Sequence, residues 1–182
     1  KNGEAGIYIT FEERKEKLYD DMLELGWDLA KYEQTGLFRF LAYTPEQIKR
    51  VLVEGGGTID AVITQMKAQR LVIDSITSFS MLFQDELTQK ESSLALFELI
   101  DRWGCTALLT SQAVQVSQED MTSQLQFEVD SIILLYHFKR KGIRYRAIEV
   151  LKMRGTKTPE QTYKVTIDSK GVTVDPTKVV GV

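Results

Sequence analysis

Hydrophobic and polar positions follow two different patterns along this chain, one in about the first 110 residues and another in the last third. Over about the first 110 residues, short apolar runs are followed by stretches of helical period, a pattern typical of alternating strands and helices. The predicted strands are residues 5–11, 37–43, 70–74 and 105–110. Four helices are predicted. The first ends at Gly26, the second begins at Thr44-Pro45, and the other two cover residues 58–69 and 91–103. Residues 113–128 are polar and unpatterned, which indicates a loop.

The last third of the chain has the pattern of antiparallel hairpins. Strands are predicted at residues 130–138, 143–152, 162–167 and 172–174, with turns at Lys141-Gly142 and residues 169–171. The whole sequence therefore predicts an α/β fold: a mostly parallel sheet flanked by helices and extended by C-terminal antiparallel β-hairpins. We expect residues 1–182 to form a single domain.

Composition narrows the possible classes of protein. With 43% hydrophobic and 27% charged residues the chain is globular, and no apolar run approaches the ~18 residues that a membrane helix needs. The net charge of -3 gives no bulk attraction to nucleic acid. A single cysteine, Cys105, excludes an internal disulfide framework and predicts a reducing, cytoplasmic compartment. A single histidine, His137, excludes a histidine-rich metal site.

Four polar clusters fall at the ends of predicted strands, where ligands bind in α/β sheets. They are Glu12-Glu13, Asp74-Ser75, Thr110-Ser111-Gln112 and the segment from Lys152 to Thr156. An ATPase needs a water-orienting base, a metal ligand, a phosphate sensor and a cation. Each cluster also has a structural interpretation: an aspartate can cap a helix, glutamates favour a helix N-terminus, and lysine and arginine can alternate on an exposed strand.

Three segments carry a resemblance to a known family: residues 6–13, 71–78 and 148–156. Their order and spacing resemble the ATPase domain of the KaiC/RadA branch of the RecA-like superfamily. The resemblance implies ATP and Mg²⁺ as cofactors, and hydrolysis of ATP by the full-length protein. Glu12 then corresponds to the glutamate that polarises the attacking water, with Glu13 beside it as helper. Asp74 corresponds to the Walker B aspartate that holds Mg²⁺.

The remaining site residues follow from the same resemblance. Ser111 and Gln112 correspond to the segment that senses the γ-phosphate, and Ser75 and Thr156 are grouped with them as nucleotide-binding. Lys152 and Arg154 correspond to residues that reach the nucleotide of the neighbouring subunit in a hexameric ring. An arginine supplied in this way would couple turnover to assembly.

One element of the family pattern is missing from the printed sequence. The phosphate-binding loop G-x-x-x-x-G-K-[ST] should lie about 25 to 30 residues before Gly6, by the resemblance. Gly55-Gly56-Gly57-Thr58 is a poor substitute because no lysine follows it. We therefore expect these residues to be part of a longer protein, lacking its N-terminal strand and phosphate-binding loop, and to be inactive alone.

The resemblance implies that this protein assembles with identical subunits. A further protein partner is compatible with that assembly. Nucleic acid is disfavoured, because the loop at residues 113–128 carries Glu119, Asp120 and Glu128 and no cation. The basic hairpin at residues 139–146 has the right sign, but a subunit interface or solvent is the favoured interpretation. The alternative function is a non-catalytic assembly or regulatory module, related to signalling or DNA repair.

Overall fold

The computed structural model describes residues 2–112, 128–168 and 171–181, and the chain divides into two compact units. The first unit comprises Lys1–Val116 and the second Ser117–Val182. Each unit has its own four-stranded sheet. None of the helices in the described ranges combines the length and the apolar character that crossing a bilayer requires.

The first unit alternates strands and helices, as the sequence predicts. Its strands are β1 (Gly6–Thr10), β2 (Phe38–Ala42), β3 (Arg70–Asp74) and β4 (Thr106–Leu109). Its helices are α1 (Lys15–Glu24), α2 (Leu29–Gln34), α3 (Pro45–Val53), α4 (Gly57–Met66), α5 (Ile76–Ser80) and α6 (Glu86–Trp103). The four strands are parallel in the order β2-β1-β3-β4, so their carboxyl ends lie along one edge.

The core of the first unit lies on one face of this sheet. Ile7 and Ile9 of β1 and Leu71 and Ile73 of β3 are 0 to 1% exposed. Because side chains alternate along a strand, these four residues share a face. Helices contribute the other buried side chains, among them Ile48, Ile59, Ile63, Phe79, Leu96 and Leu99.

Phe79 of α5 is the largest fully buried side chain of this core and offers a test of it. Its ring lies 5.3 Å from the ring of Phe83 and 5.7 Å from that of Phe11. We expect Phe79→Ala to lower the free energy of unfolding by about 3–5 kcal/mol, because the cavity cannot collapse fully. Urea denaturation measures the loss. Met81→Ala is the control, since Met81 is 76% exposed and should change stability by less than about 0.5 kcal/mol. Equal effects of the two substitutions would contradict this assignment of the core.

Helix starts were predicted well where a capping residue marks them and less well elsewhere. Thr44 caps α3 in a complete capping box with Gln47, and Pro45 occupies the first turn. Helix α6 begins at Glu86, five residues earlier than the predicted start at 91, because Asp85 accepts the Thr88 N–H and caps it. The short helices α2 and α5 were not predicted.

The second unit is an antiparallel meander, which confirms the predicted hairpins. Its strands are β5 (Ser131–Arg140), β6 (Ile143–Met153), β7 (Tyr163–Asp168) and β8 (Gly171–Val179), in sequential order. Lys141 and Gly142 both have positive φ, as a two-residue hairpin turn requires. Strand β8 is longer than the predicted 172–174 and includes Pro176, which an edge strand tolerates. Ser169 and Lys170 of the second predicted turn lie outside the described residues.

Candidate functional site

Asp74 is the last residue of β3, and each of its carboxylate oxygens accepts a hydrogen bond from a hydroxyl group. Tyr8 donates to Oδ2 at 2.5 Å, and Thr110 donates to Oδ1 at 2.6 Å. Tyr8 belongs to β1 and Thr110 follows β4, so the two donors come from the strands on either side of β3. The carboxylate of Asp74 is therefore fixed from both sides at the carboxyl edge of the sheet.

The strand register explains how Tyr8 reaches Asp74. Tyr8 pairs with Val72, and the next position on the same face of β3 is Asp74. Such a diagonal neighbour on an adjacent strand is within reach of an aromatic side chain. The pKa of Tyr8 is raised above its ordinary value, mainly by burial and secondly by the hydrogen bond to Asp74. The phenol thus keeps its proton and acts as a donor at neutral pH.

Glu12 and Glu13 follow the strand that is paired with β3. Thr10, the last residue of β1, lies directly opposite Asp74 in the parallel register. The Thr10 hydroxyl is buried and accepts the N–H groups of Glu12 at 3.3 Å and Glu13 at 3.0 Å, which fixes the turn. The Glu12 side chain is exposed, whereas that of Glu13 is partly buried and forms an ion pair with Lys17 at 3.4 Å. The two carboxylates therefore have different surroundings.

Ser75 faces the protein interior. Its hydroxyl accepts the Ser78 N–H at 3.1 Å and lies 2.8 Å from the Ser78 hydroxyl, so Ser75 is the N-cap of α5. The side chain is 5% exposed. Since Ser75 caps this helix, the alternative interpretation of Asp74 as the capping residue is wrong. The peptide bond between Asp74 and Ser75 is cis.

Ser111 and Gln112 are exposed, and both contact Thr77 of helix α5. The hydroxyl groups of Thr77 and Ser111 lie 3.2 Å apart, and the Gln112 N–H donates to Thr77 at 2.9 Å. The segment after β4 is thereby tied to the helix that follows Asp74. Of the predicted loop at residues 113–128, all but Glu128 lies outside the described residues.

In the second unit, a β-bulge precedes the segment that begins at Lys152. Val150 is opposite Ile133, but Lys152 is opposite Ile132, so Leu151 is an extra residue without a partner of its own. Lys152 therefore lies on the opposite face of the hairpin from Val150. Bulges of this kind often occur beside functional sites, where they redirect a side chain.

Arg154 interacts with the start of β5 in two ways. Its backbone N–H donates to the Asp130 carbonyl at 2.9 Å, and its guanidinium contacts the Asp130 carboxylate at 3.2 Å. Both side chains are more than half exposed. An exposed pair of this kind contributes at most about 1 kcal/mol, so a competing anion can displace it. Thr156 is exposed, and its N–H donates to the Met153 carbonyl at 3.3 Å.

The predicted site residues thus divide between the two units. Glu12, Glu13, Asp74, Ser75, Ser111 and Gln112 belong to the first unit, and Lys152, Arg154 and Thr156 belong to the second. Within the first unit, hydrogen bonds join Tyr8 of β1 and Thr110 after β4 to Asp74, and a further contact joins α5 to Ser111.

The basic hairpin concentrates like charges. Lys139 is opposite Arg144 and His137 is opposite Arg146 on one face of β5 and β6, and all four are exposed. Arg144 Nη1 lies 3.2 Å from His137 Nε2. Like charges opposite one another destabilise a strand pair. Lys139, Arg144 and Arg146 are cationic, and none of them forms an ion pair with a carboxylate in the described part of the chain. This face suits an anionic partner.

Tyr8, Thr77 and Thr110 belong to this arrangement, although of these only Thr110 lay in a polar cluster that the sequence predicted. Alternation puts Tyr8 on the same face of its strand as Thr10, but the contacts of Tyr8 and Thr110 with Asp74 depend on the strand order and register, which the sequence did not predict. Thr77 gave no such signal, because its contact with residues 111 and 112 depends on the unpredicted helix α5.

The chemistry of these side chains fits a particular kind of metal ion. No group of three or more His, Cys, Asp or Glu residues within the described ranges could hold a metal by itself. One carboxylate with hydroxyl groups around it fits Mg²⁺, which keeps several waters and takes its other ligands from substrate phosphates. The residues present therefore fit Mg²⁺ that arrives with a nucleotide.

The alternating β/α unit, with its parallel sheet and acidic residues at adjacent strand ends, is compatible with the RecA-like class of α/β domains. A family model described as "ATPase: KaiC" matches residues 1–179. The chain therefore belongs to the KaiC family of ATPases. The predicted family and fold class are both confirmed.

Individual relatives agree with this assignment. The chain is 26% identical over 181 residues to the circadian clock oscillator protein KaiC of Synechococcus elongatus. It is 27% identical over 185 residues to the circadian clock protein KaiC3 of Synechocystis. The matches cover 95% and 97% of this chain but only 35% and 37% of those proteins, so the chain spans little more than a third of their length.

Archaeal relatives are matched over more of their own length. A UPF0273 protein of Pyrococcus furiosus is 29% identical over 191 residues, which cover 97% of this chain and 76% of that protein. The crystal structure of a KaiC-like protein from Pyrococcus horikoshii OT3 superposes with a TM-score of 0.83 at 29% identity. The superposition covers 96% of this chain and 76% of the archaeal one.

Proposed function

We propose that this domain binds ATP with Mg²⁺ and hydrolyses it within a ring-forming, hexameric protein. Asp74 holds the metal through water, and Glu12 activates the attacking water with Glu13 beside it. Ser111 and Gln112 sense the γ-phosphate. Ser75 and Thr156, which belong to separate units, are proposed as further nucleotide-binding residues, although the Ser75 hydroxyl caps α5. The family pattern puts the phosphate-binding loop upstream of Gly6, so every test of this proposal uses the full-length protein.

One observation carries the proposal: the carboxylate of Asp74 lies at the carboxyl end of β3, with hydroxyl donors on both oxygens. Ligands of open α/β sheets bind at this edge. Thr10 pairs with Asp74, and Glu12 follows only two residues later. ATP hydrolysis uses a metal ligand and a group that orients the attacking water, and Asp74 and Glu12, at the ends of neighbouring strands, supply carboxylates for these two roles.

Assembly into a ring completes the proposed mechanism. The exposed Arg154 and the partly buried Lys152 would act on the nucleotide of the neighbouring subunit, where a guanidinium stabilises charge that develops in the transition state. The contact between Arg154 and Asp130 is weak enough to exchange for a phosphate contact. The single cysteine supports cytoplasmic placement. An additional protein partner is compatible with this arrangement.

The metal part of the proposal is tested by Asp74→Asn in the full-length protein. We expect the Mg²⁺ concentration for half-maximal ATP hydrolysis to rise by about 10- to 100-fold, because the neutral amide holds the hydrated ion less well. Initial rates over a Mg²⁺ titration at saturating ATP measure the change. Asp20→Asn is the control, since Asp20 is an exposed carboxylate on α1. An unaltered Mg²⁺ dependence would remove Asp74 from the metal site.

The second candidate function is a non-catalytic assembly or regulatory module. It is favoured by the cations of the basic hairpin: among the described residues, Lys139, Arg144 and Arg146 form no ion pair with a carboxylate, so this face suits an acidic partner protein. Wild-type protein that assembles without Mg²⁺-dependent ATP turnover would support this candidate over the first.

A further inference from the structure

Tyr8 joins the carboxylate of Asp74 to an aromatic cluster, which consists of the rings of Tyr8, Phe38, Phe40 and Tyr19. Its ring stacks on that of Phe40, with centroids 5.9 Å apart and planes 12° apart. Phe40 in turn meets the edge of the Tyr19 ring at 6.3 Å. The position of the Tyr8 ring is therefore determined by packing, independently of its hydroxyl group.

The hydroxyl groups of Tyr8 and Thr110 restrict how Asp74 can move. A carboxylate that accepts one hydrogen bond on each oxygen cannot rotate about its Cβ–Cγ bond without losing at least one of them. Hydrogen bonds from donors to a charged oxygen are stronger than those between neutral groups, and these two are short, at 2.5 and 2.6 Å. Asp74 is thus held in one orientation before any ligand arrives.

We propose that Tyr8, together with Thr110, is a positioning residue that sets the metal affinity of Asp74. This inference rests on the proposed function, in which Asp74 holds the Mg²⁺ of the bound nucleotide. Neither hydroxyl touches the metal. Each acts by keeping the carboxylate plane fixed, so that binding the hydrated ion loses no further rotational freedom.

The chain supplies a matched control for the Tyr8 hydroxyl. Tyr19 lies in the same aromatic cluster, and its hydroxyl also donates to a carboxylate, that of Glu33, at 3.0 Å. The pKa of Tyr19 is raised, like that of Tyr8, mainly by burial and secondly by this hydrogen bond. Tyr19→Phe therefore removes an equivalent hydroxyl from the same packing environment without touching Asp74.

The experiment measures metal binding directly, in the absence of turnover. Full-length wild-type protein and the variants Tyr8→Phe, Thr110→Val, Tyr19→Phe and Asp74→Asn are saturated with ADP, and Mn²⁺ binding is followed by electron paramagnetic resonance. We expect Tyr8→Phe and Thr110→Val each to weaken Mn²⁺ binding by about 10-fold, the usual effect of losing an outer-shell partner. Tyr19→Phe should bind Mn²⁺ like the wild type. Affinity for ADP in the presence of EDTA should be equal in all five proteins.

The outcomes separate this inference from the proposed function. Weak Mn²⁺ binding by Asp74→Asn together with normal binding by Tyr8→Phe and Thr110→Val would overturn the inference alone. Normal Mn²⁺ binding by Asp74→Asn would overturn both the inference and the assignment of Asp74. Equal losses in Tyr8→Phe and Tyr19→Phe would show a general effect of the aromatic cluster, and would also overturn the positioning role.

Discussion

Replacing Glu12 by glutamine in the full-length protein is expected to lower the kcat for ATP hydrolysis by about 10²- to 10⁴-fold, because the amide cannot accept a proton from the attacking water. ATP should still bind, since the exposed Glu12 side chain is not proposed to hold the phosphates or the metal. Single-turnover hydrolysis, with nucleotide affinity measured separately, distinguishes the two effects.

The control for this substitution is Glu16→Gln, which removes the same charge one turn further along, in the first turn of α1. Turnover by the control should remain within about twofold of the wild type, as expected for an exposed substitution away from the site. A Glu12→Gln protein that hydrolyses ATP as fast as the control would exclude Glu12 as the activating residue.

Arg154→Ala should lower turnover by about 10³-fold in the assembled protein, the lower end of the range for an arginine that stabilises transferred phosphate. Affinity for ATP should change little, because the role proposed for the guanidinium is to stabilise the transition state. The measurement is kcat at saturating ATP. Lys157→Ala is the control, since Lys157 is an exposed cation three residues away.

Mixing variants tests whether Arg154 acts on a neighbouring subunit. A Glu12→Gln subunit retains Arg154, and an Arg154→Ala subunit retains its own Glu12 and Asp74. In co-assembled rings, we expect the first to supply the missing guanidinium to the second and to restore measurable hydrolysis. Mixed rings that stay as inactive as the separate variants would show that Arg154 does not act in trans.

The sequence predicted those features that local chemistry determines. Thr44 and Pro45 marked the start of α3, and Lys141-Gly142 marked the hairpin turn, because capping and positive φ depend on the residues themselves. The apolar run before Asp74 predicted a buried strand, and this prediction put the Asp74 carboxylate at the end of that strand.

Features that depend on tertiary neighbours were beyond the sequence. The partnership of Tyr8 with Asp74 needs the strand order and register, which join residues 66 positions apart. Ser75 looked like a second polar group of the site, yet its hydroxyl caps α5, a helix too short to show a period. The predicted start of α6 was too late because the first turns of this helix are polar and show no clear apolar period.

The bulge at Leu151 gives strand β6 one residue of slack. Val150 and Lys152 already face consecutive residues of β5, so loss of the intervening residue would close the bulge without altering either pairing. A chain one residue shorter between the hairpin turn and Lys152 could therefore present Lys152 and Arg154 on the same faces. The chain length at this point of β6 can therefore change without changing the directions of the side chains that follow.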